Sequence, residues 1–78
     1  MKPGDLIRLT LPYEENGIIF VYEIPSQQRH GFVPGTLGIF LGAWHGSPLQ
    51  LAGEKKMQIL VNNMVCWVYE SECKEAND

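Results

Sequence analysis

The chain lacks any apolar run approaching the ~20 residues that a membrane-crossing helix needs. Nothing in it resembles a signal peptide, since Met1-Lys2 is followed by the turn-forming Pro3-Gly4-Asp5 and not by an apolar stretch, so no secretion signal is expected. Both absences lead us to expect a soluble, cytoplasmic protein with no membrane partner. Cysteine is scarce, with Cys66 and Cys73 only. A disulfide between them is conceivable, but thiols in an intracellular setting stay reduced, and both read as small structural residues. Positive charge is scarce as well: six Lys and Arg stand against nine Asp and Glu, for a net charge of −3. Lys2, Arg8, Arg29, Lys55, Lys56 and Lys74 are scattered, and only Lys55 and Lys56 adjoin. A phosphate-binding surface needs clustered cations, so nucleic acid is not the expected partner.

Catalytic and metal-binding patterns are missing too. His30 and His45 have no partner at metal-ligand spacing, and a zinc site with Cys66 and Cys73 would require four distant positions to converge. Neither cysteine sits in a nucleophile context. Glu14-Glu15 and Glu70 with Glu72 fall in turns, where solvated carboxylates are the default. Glycines 31, 35, 38 and 42 do not form a dinucleotide fingerprint, and no helix follows to receive phosphate. These absences predict no enzyme activity, no cofactor and no metal.

What the chain does have is strand periodicity. Its 78 residues, 45% hydrophobic and 19% charged, have globular composition and room for one domain. In Asp5 to Leu11, Ile7, Leu9 and Leu11 alternate with Arg8 and Thr10. Gly17 to Ile24 alternates Ile18, Phe20 and Tyr22 against Ile19, Val21 and Glu23, and Pro25 ends it. Ser26 to Gly35 reads as a polar loop. A third strand is expected over Thr36–His45, with Gly38 and Gly42 marking a bend, a bulge or a close backbone approach. Gly46 to Lys55 reads as a loop; a helix over Leu49–Met57 would be short and broken by Gly53. Met57–Val61 and Met64–Tyr69 form a hairpin across Asn62-Asn63, suited to a type I′ turn because Asn tolerates positive φ. Glu70-Ser71-Glu72 then predicts a 3₁₀ turn before a last scrap of strand.

The ending L-V-N-N-M-V-C-W-V-Y-E-S-E-C resembles the distal hairpin and last strand of SH3-like barrels. The opening K-P-G-D-L-I-R-L with N-G-I-I-F is similar to that of small barrel proteins of tailed, notably marine, bacteriophages, and more distantly to KOW-type barrels. The resemblance covers both ends of the chain and leaves Pro25 to Lys55 unmatched. With the strand pattern it implies an all-β fold, an SH3-like five-stranded barrel or strongly bent antiparallel sheet over residues 1–74; residues 75–78, as a polar chain end, are expected to form a frayed tail. It also implies a small accessory protein, in host cytoplasm if viral. The aromatic segment with which signalling SH3 domains grip proline-rich peptides is absent here.

Aromatic placement carries the functional expectation. Trp67 and Tyr69 share one face of their strand, opposite Cys66 and Val68. If the latter face the core, the aromatics look outward and need cover from a second subunit or a partner, or from the chain's own loops. The expected role is a non-catalytic protein-interaction module, binding itself as a homo-oligomer or a host or virion protein. Trp67, Tyr69, Tyr22 and Trp44 are the expected anchors. The alternative is a KOW- or Sm-like nucleic-acid-binding domain, with Arg8, Arg29, Lys55 and Lys56 on phosphates.

Overall fold

Alternating apolar residues force each short segment of this chain to bury one side, and an antiparallel sheet lets all of them bury the same side. The structure, a computed structural model, describes residues 1–11, 17–43 and 55–76. Within these lie β1 (Leu6–Leu9), β2 (Ile19–Glu23), β3 (Arg29–Phe32), β4 (Leu37–Ala43), β5 (Lys56–Val61), β6 (Met64–Tyr69) and β7 (Cys73–Glu75). One 3₁₀ turn, Glu70–Glu72, joins β6 to β7 where the sequence predicts it. The fold is all-β. The strands form one antiparallel sheet in the order β3-β2-β6-β5-β4-β1-β7.

The inner face collects Ile7 and Leu9 from β1, Ile19 and Val21 from β2, and Phe40 from β4. Ile59 and Val61 from β5, Cys66 and Val68 from β6, and Cys73 from β7 complete the cluster, with Phe32 of β3 packed against it. Seven strands laid flat would span roughly 29 Å and stand about 10 Å thick. The molecule measures 33 × 25 × 24 Å, so the sheet is strongly bent around its own core.

Of the two forms expected, the strongly bent antiparallel sheet is the one observed: it is open, with seven strands and not five, because β3 and β7 end the strand order without pairing to each other. Two expectations need correction. The stretch read as one polar loop, Ser26 to Gly35, contains β3, which pairs with β2 through Ile19–Phe32, Phe20–Gly31, Val21–His30 and Tyr22–Arg29. The C-terminus also holds longer than expected: β7 runs through Glu75, and the Ala76 N–H donates to the Leu6 carbonyl at 3.0 Å.

The glycines of β4 do two different jobs. At Gly38 a Cβ would stand 2.8 Å from the Leu60 carbonyl oxygen, so the neighbouring backbone comes too close for any side chain. At Gly42, φ is +140° and the β4–β5 register slips between Phe40 and Gly42, a bulge that increases local twist. Asn62 and Asn63 have φ of 50° and 61°, as a type I′ turn demands. The expected end of the third strand, the loop over Gly46–Lys55 apart from Lys55 itself, and residues 49–54 of the helical alternative over Leu49–Met57 lie outside the described residues, while Lys56 and Met57 belong to β5.

Candidate functional site

The same alternation that fills the core sends every second side chain outward. Register then lines these up across strands: Leu6 opposes Ile39, Ile39 opposes Leu60, and Leu60 opposes Val65. The result is a continuous aliphatic row over β1, β4, β5 and β6. Leu37 extends it beside Arg8. These side chains remain wet, with Leu37 51%, Leu6 42%, Val65 37% and Leu60 36% exposed. A shallow depression of about 290 Å³ lies in the row, lined by Leu6, Leu37, Ile39 and Leu60, with Asn62 and Asn63 of the tight turn at its rim.

Next to the row lies the aromatic group. Tyr22 pairs with Trp67 across β2 and β6, and their rings stack at 4.3 Å with 19° between planes. Lys56 places its ammonium 4.4 Å from the Trp67 ring centre, a cation–π contact. Tyr69 meets the Trp67 ring edge-on at 5.3 Å. The indole Nε1–H donates to Gln27 Oε1 at 3.1 Å. Trp67 therefore points away from the inner cluster, as its parity with Tyr69 predicts, yet is only 7% exposed. Its cover comes from its own chain, so no second subunit is needed to shield it. Tyr22 and Tyr69 are half-buried. Phe20 is more exposed, with the Arg29 guanidinium 4.5 Å above its ring. Trp44, the remaining expected anchor, lies outside the described residues.

Charge is divided between the two faces. Arg8 on β1, Arg29 on β3, Lys56 on β5 and Lys74 on β7 all occupy outward positions, fixed by Arg8–Leu37, Tyr22–Arg29, Lys56–Tyr69 and Arg8–Lys74 pairing. The strand carboxylates Glu23 and Glu75 take inward parity, opposite Cys66 and Ile7. Each is held at the rim, Glu23 by His30 Nε2 at 3.0 Å and Glu75 by the N-terminal ammonium at 3.4 Å. The sheet of an acidic protein thus presents outward strand charges of one sign, positive. They do not form one cluster: Arg29 and Arg8 sit near opposite ends of the strand order, and Lys55 is exposed just before β5.

The thiols are poorly placed for chemistry. Cys66 and Cys73 are buried and unpaired, so the conceivable disulfide is absent. Burial, and then the neighbouring Glu70, push the Cys73 thiol up to about 11; burial, and then Glu23, raise Cys66. Both are held as protonated thiols, the form that does not attack. Among the described residues no group of three or more His, Cys, Asp or Glu gathers as a metal site. No helix among them is long and apolar enough to cross a membrane.

Sequence reasoning concentrated on aromatics and missed the aliphatic row. Its signal was present in Leu6, Leu37, Ile39, Leu60 and Val65, the apolar residues left at outward parity once the core positions are assigned. No family model matches the chain, and neither the curated proteins nor the solved structures contain a match to it.

Proposed function

We infer that this chain is a non-catalytic protein-interaction module, a small accessory protein of the kind its phage-type resemblance implies, and that it docks a protein partner on the outward face of its sheet. The observation that carries the reading is the aliphatic row Leu6–Ile39–Leu60–Val65 with Leu37, left wet on four neighbouring strands. A folded chain gains nothing from aligning exposed leucines, whereas an interface does.

Magnitudes limit the kind of complex. Fully burying a leucine is worth about 1.5–3 kcal/mol, so side chains with a third to half of their area still wet offer roughly 1 kcal/mol each. Association itself costs at least about 4 kcal/mol in lost freedom. The row alone supports weak, reversible binding, and polar contacts must supply the rest. Its exposed area is on the order of a few hundred Å², short of the roughly 800 Å² per partner of a stable interface. A second copy placed face to face would also bring Arg8, Arg29, Lys56 and Lys74 toward a face whose outward strand charges are likewise positive, which disfavours the contact. An outside partner therefore fits better than a homo-oligomer.

The nucleic-acid reading draws on the same outward cations. It is weakened by how the rings are used: Trp67 stacks on Tyr22 beneath Lys56, Phe20 lies under Arg29, and the row Leu6, Leu37, Leu60 and Val65 is aliphatic, so stacking surface is sparse among the described residues. The test is selection of peptides from a random display library by the full chain, set against a Leu37→Ser/Leu60→Ser double variant. The reading predicts peptides that the wild type retains and the folded variant loses. Equal retention by both, or tight binding of single-stranded oligonucleotides with no peptide selected, contradicts it.

A further inference from the structure

We propose that the outward face is built for an acidic, aliphatic protein segment, one presenting Leu, Ile or Val beside Asp or Glu. The inference rests on the interaction reading above and names the chemistry of its partner. Three observations carry it. The described strand cations, Arg8, Arg29, Lys56 and Lys74, all point outward, while both strand carboxylates, Glu23 and Glu75, take inward parity. In a chain of net charge −3 this segregation runs against composition and leaves the outward strand charges opposite in sign to the molecule's own.

The second observation is where the cations sit relative to the apolar row. Arg8 pairs laterally with both Leu37 and Lys74, so two cations border the row on its β1–β7 side. Both are exposed, and neither has an ion-pair partner among the described residues. On the other side Lys56 and Arg29 are already laid over Trp67 and Phe20. Those two are held in place, whereas Arg8 and Lys74 are available to a ligand. The third observation is the depression between them and the Asn62–Asn63 turn: its Leu6, Leu37, Ile39 and Leu60 walls suit a branched aliphatic side chain, and the asparagines lie where a partner's backbone would pass.

Aliphatic walls bordered by cations that have no ion-pair partner among the described residues suit a ligand carrying both complements. A basic or purely apolar segment satisfies half of the surface, and a second copy meets it with like charge.

The experiment pans the full chain and an Arg8→Glu/Lys74→Glu double variant against one random peptide library, with circular dichroism showing that both are folded. The wild type should enrich sequences in which carboxylates accompany aliphatic residues. Reversing both cations should weaken the selected peptides about tenfold, each exposed pair being worth a little under a factor of about two and its reversal as much again. The variant should in turn enrich basic-aliphatic sequences. Wild-type enrichment of basic sequences, or of neutral apolar ones that the double variant holds equally well, overturns the acidic partner while leaving a protein-binding face. Enrichment of nothing by the wild type removes both this inference and the interaction reading.

Discussion

Gly38 shows how little room the β4–β5 contact leaves. A methyl group there would meet the Leu60 carbonyl at 2.8 Å, and a backbone oxygen fixed in a ladder cannot step aside as a flexible side chain would. Gly38→Ala is expected to cost about 1–3 kcal/mol in denaturant melts, although alanine normally improves a strand glycine. A neutral result would mean that the two strands sit further apart. Cys73 sets a different constraint. Its thiol ionises near 9 when free and near 11 in the fold, so the folded state disfavours the thiolate. Below pH 9 folded and unfolded chains are both protonated there, and stability is untouched. As pH rises from about 9 to 11 the unfolded chain loses its proton first, and stability falls by up to roughly 2–3 kcal/mol. Cys73→Ala should flatten that alkaline decline in melts recorded across this range, whatever it does to stability at neutral pH.

At the scale of elements, the β5–β6 hairpin was the part most legible in the sequence. Its two strands alternate cleanly, and both turn asparagines have the positive φ that the turn type requires. Asn63→Gly should be neutral or stabilising by a few tenths of a kcal/mol, and a loss above about 1 kcal/mol would contradict the turn geometry. The strand β3 was not legible. Arg-His-Gly-Phe has one β-favouring residue, and what holds it is the β2 partner: Phe20 lies across from Gly31, and Ile18 just before β2 fills the space a side chain would take, its Cγ2 2.7 Å from where a Cβ would stand. Tertiary pairing of this kind leaves no local pattern. Trp67 was half legible. Strand parity gave its direction, while its cover depends on Gln27, forty residues away, and on Lys56 and Tyr22 from neighbouring strands. Trp67→Ala should therefore cost about 3 kcal/mol or more, and Trp67→Phe, which keeps the stack and loses the hydrogen bond, nearer 1 kcal/mol. If Trp67→Ala left the melt unchanged and only weakened partner binding, the indole would be an anchor for a partner and not for its own sheet.

For the molecule as a whole, bending a single sheet around one core gives the chain an inner face that folds it and an outer face on which Leu6, Leu37, Leu60 and Val65 stay exposed. The core residues and the outward row are the two parities of the same strands, which is why the row became visible only once register was known. The most direct test is an amide chemical-shift map of the isotope-labelled full chain, titrated with a peptide selected by the wild type. Shifts should concentrate at Leu6, Leu37, Leu60 and Val65, with Arg8 and Lys74 beside them and inner residues such as Ile59 and Cys66 little moved. Shifts confined to the β3 edge or to the Phe20 side of β2, with the aliphatic row silent, would contradict docking on this row.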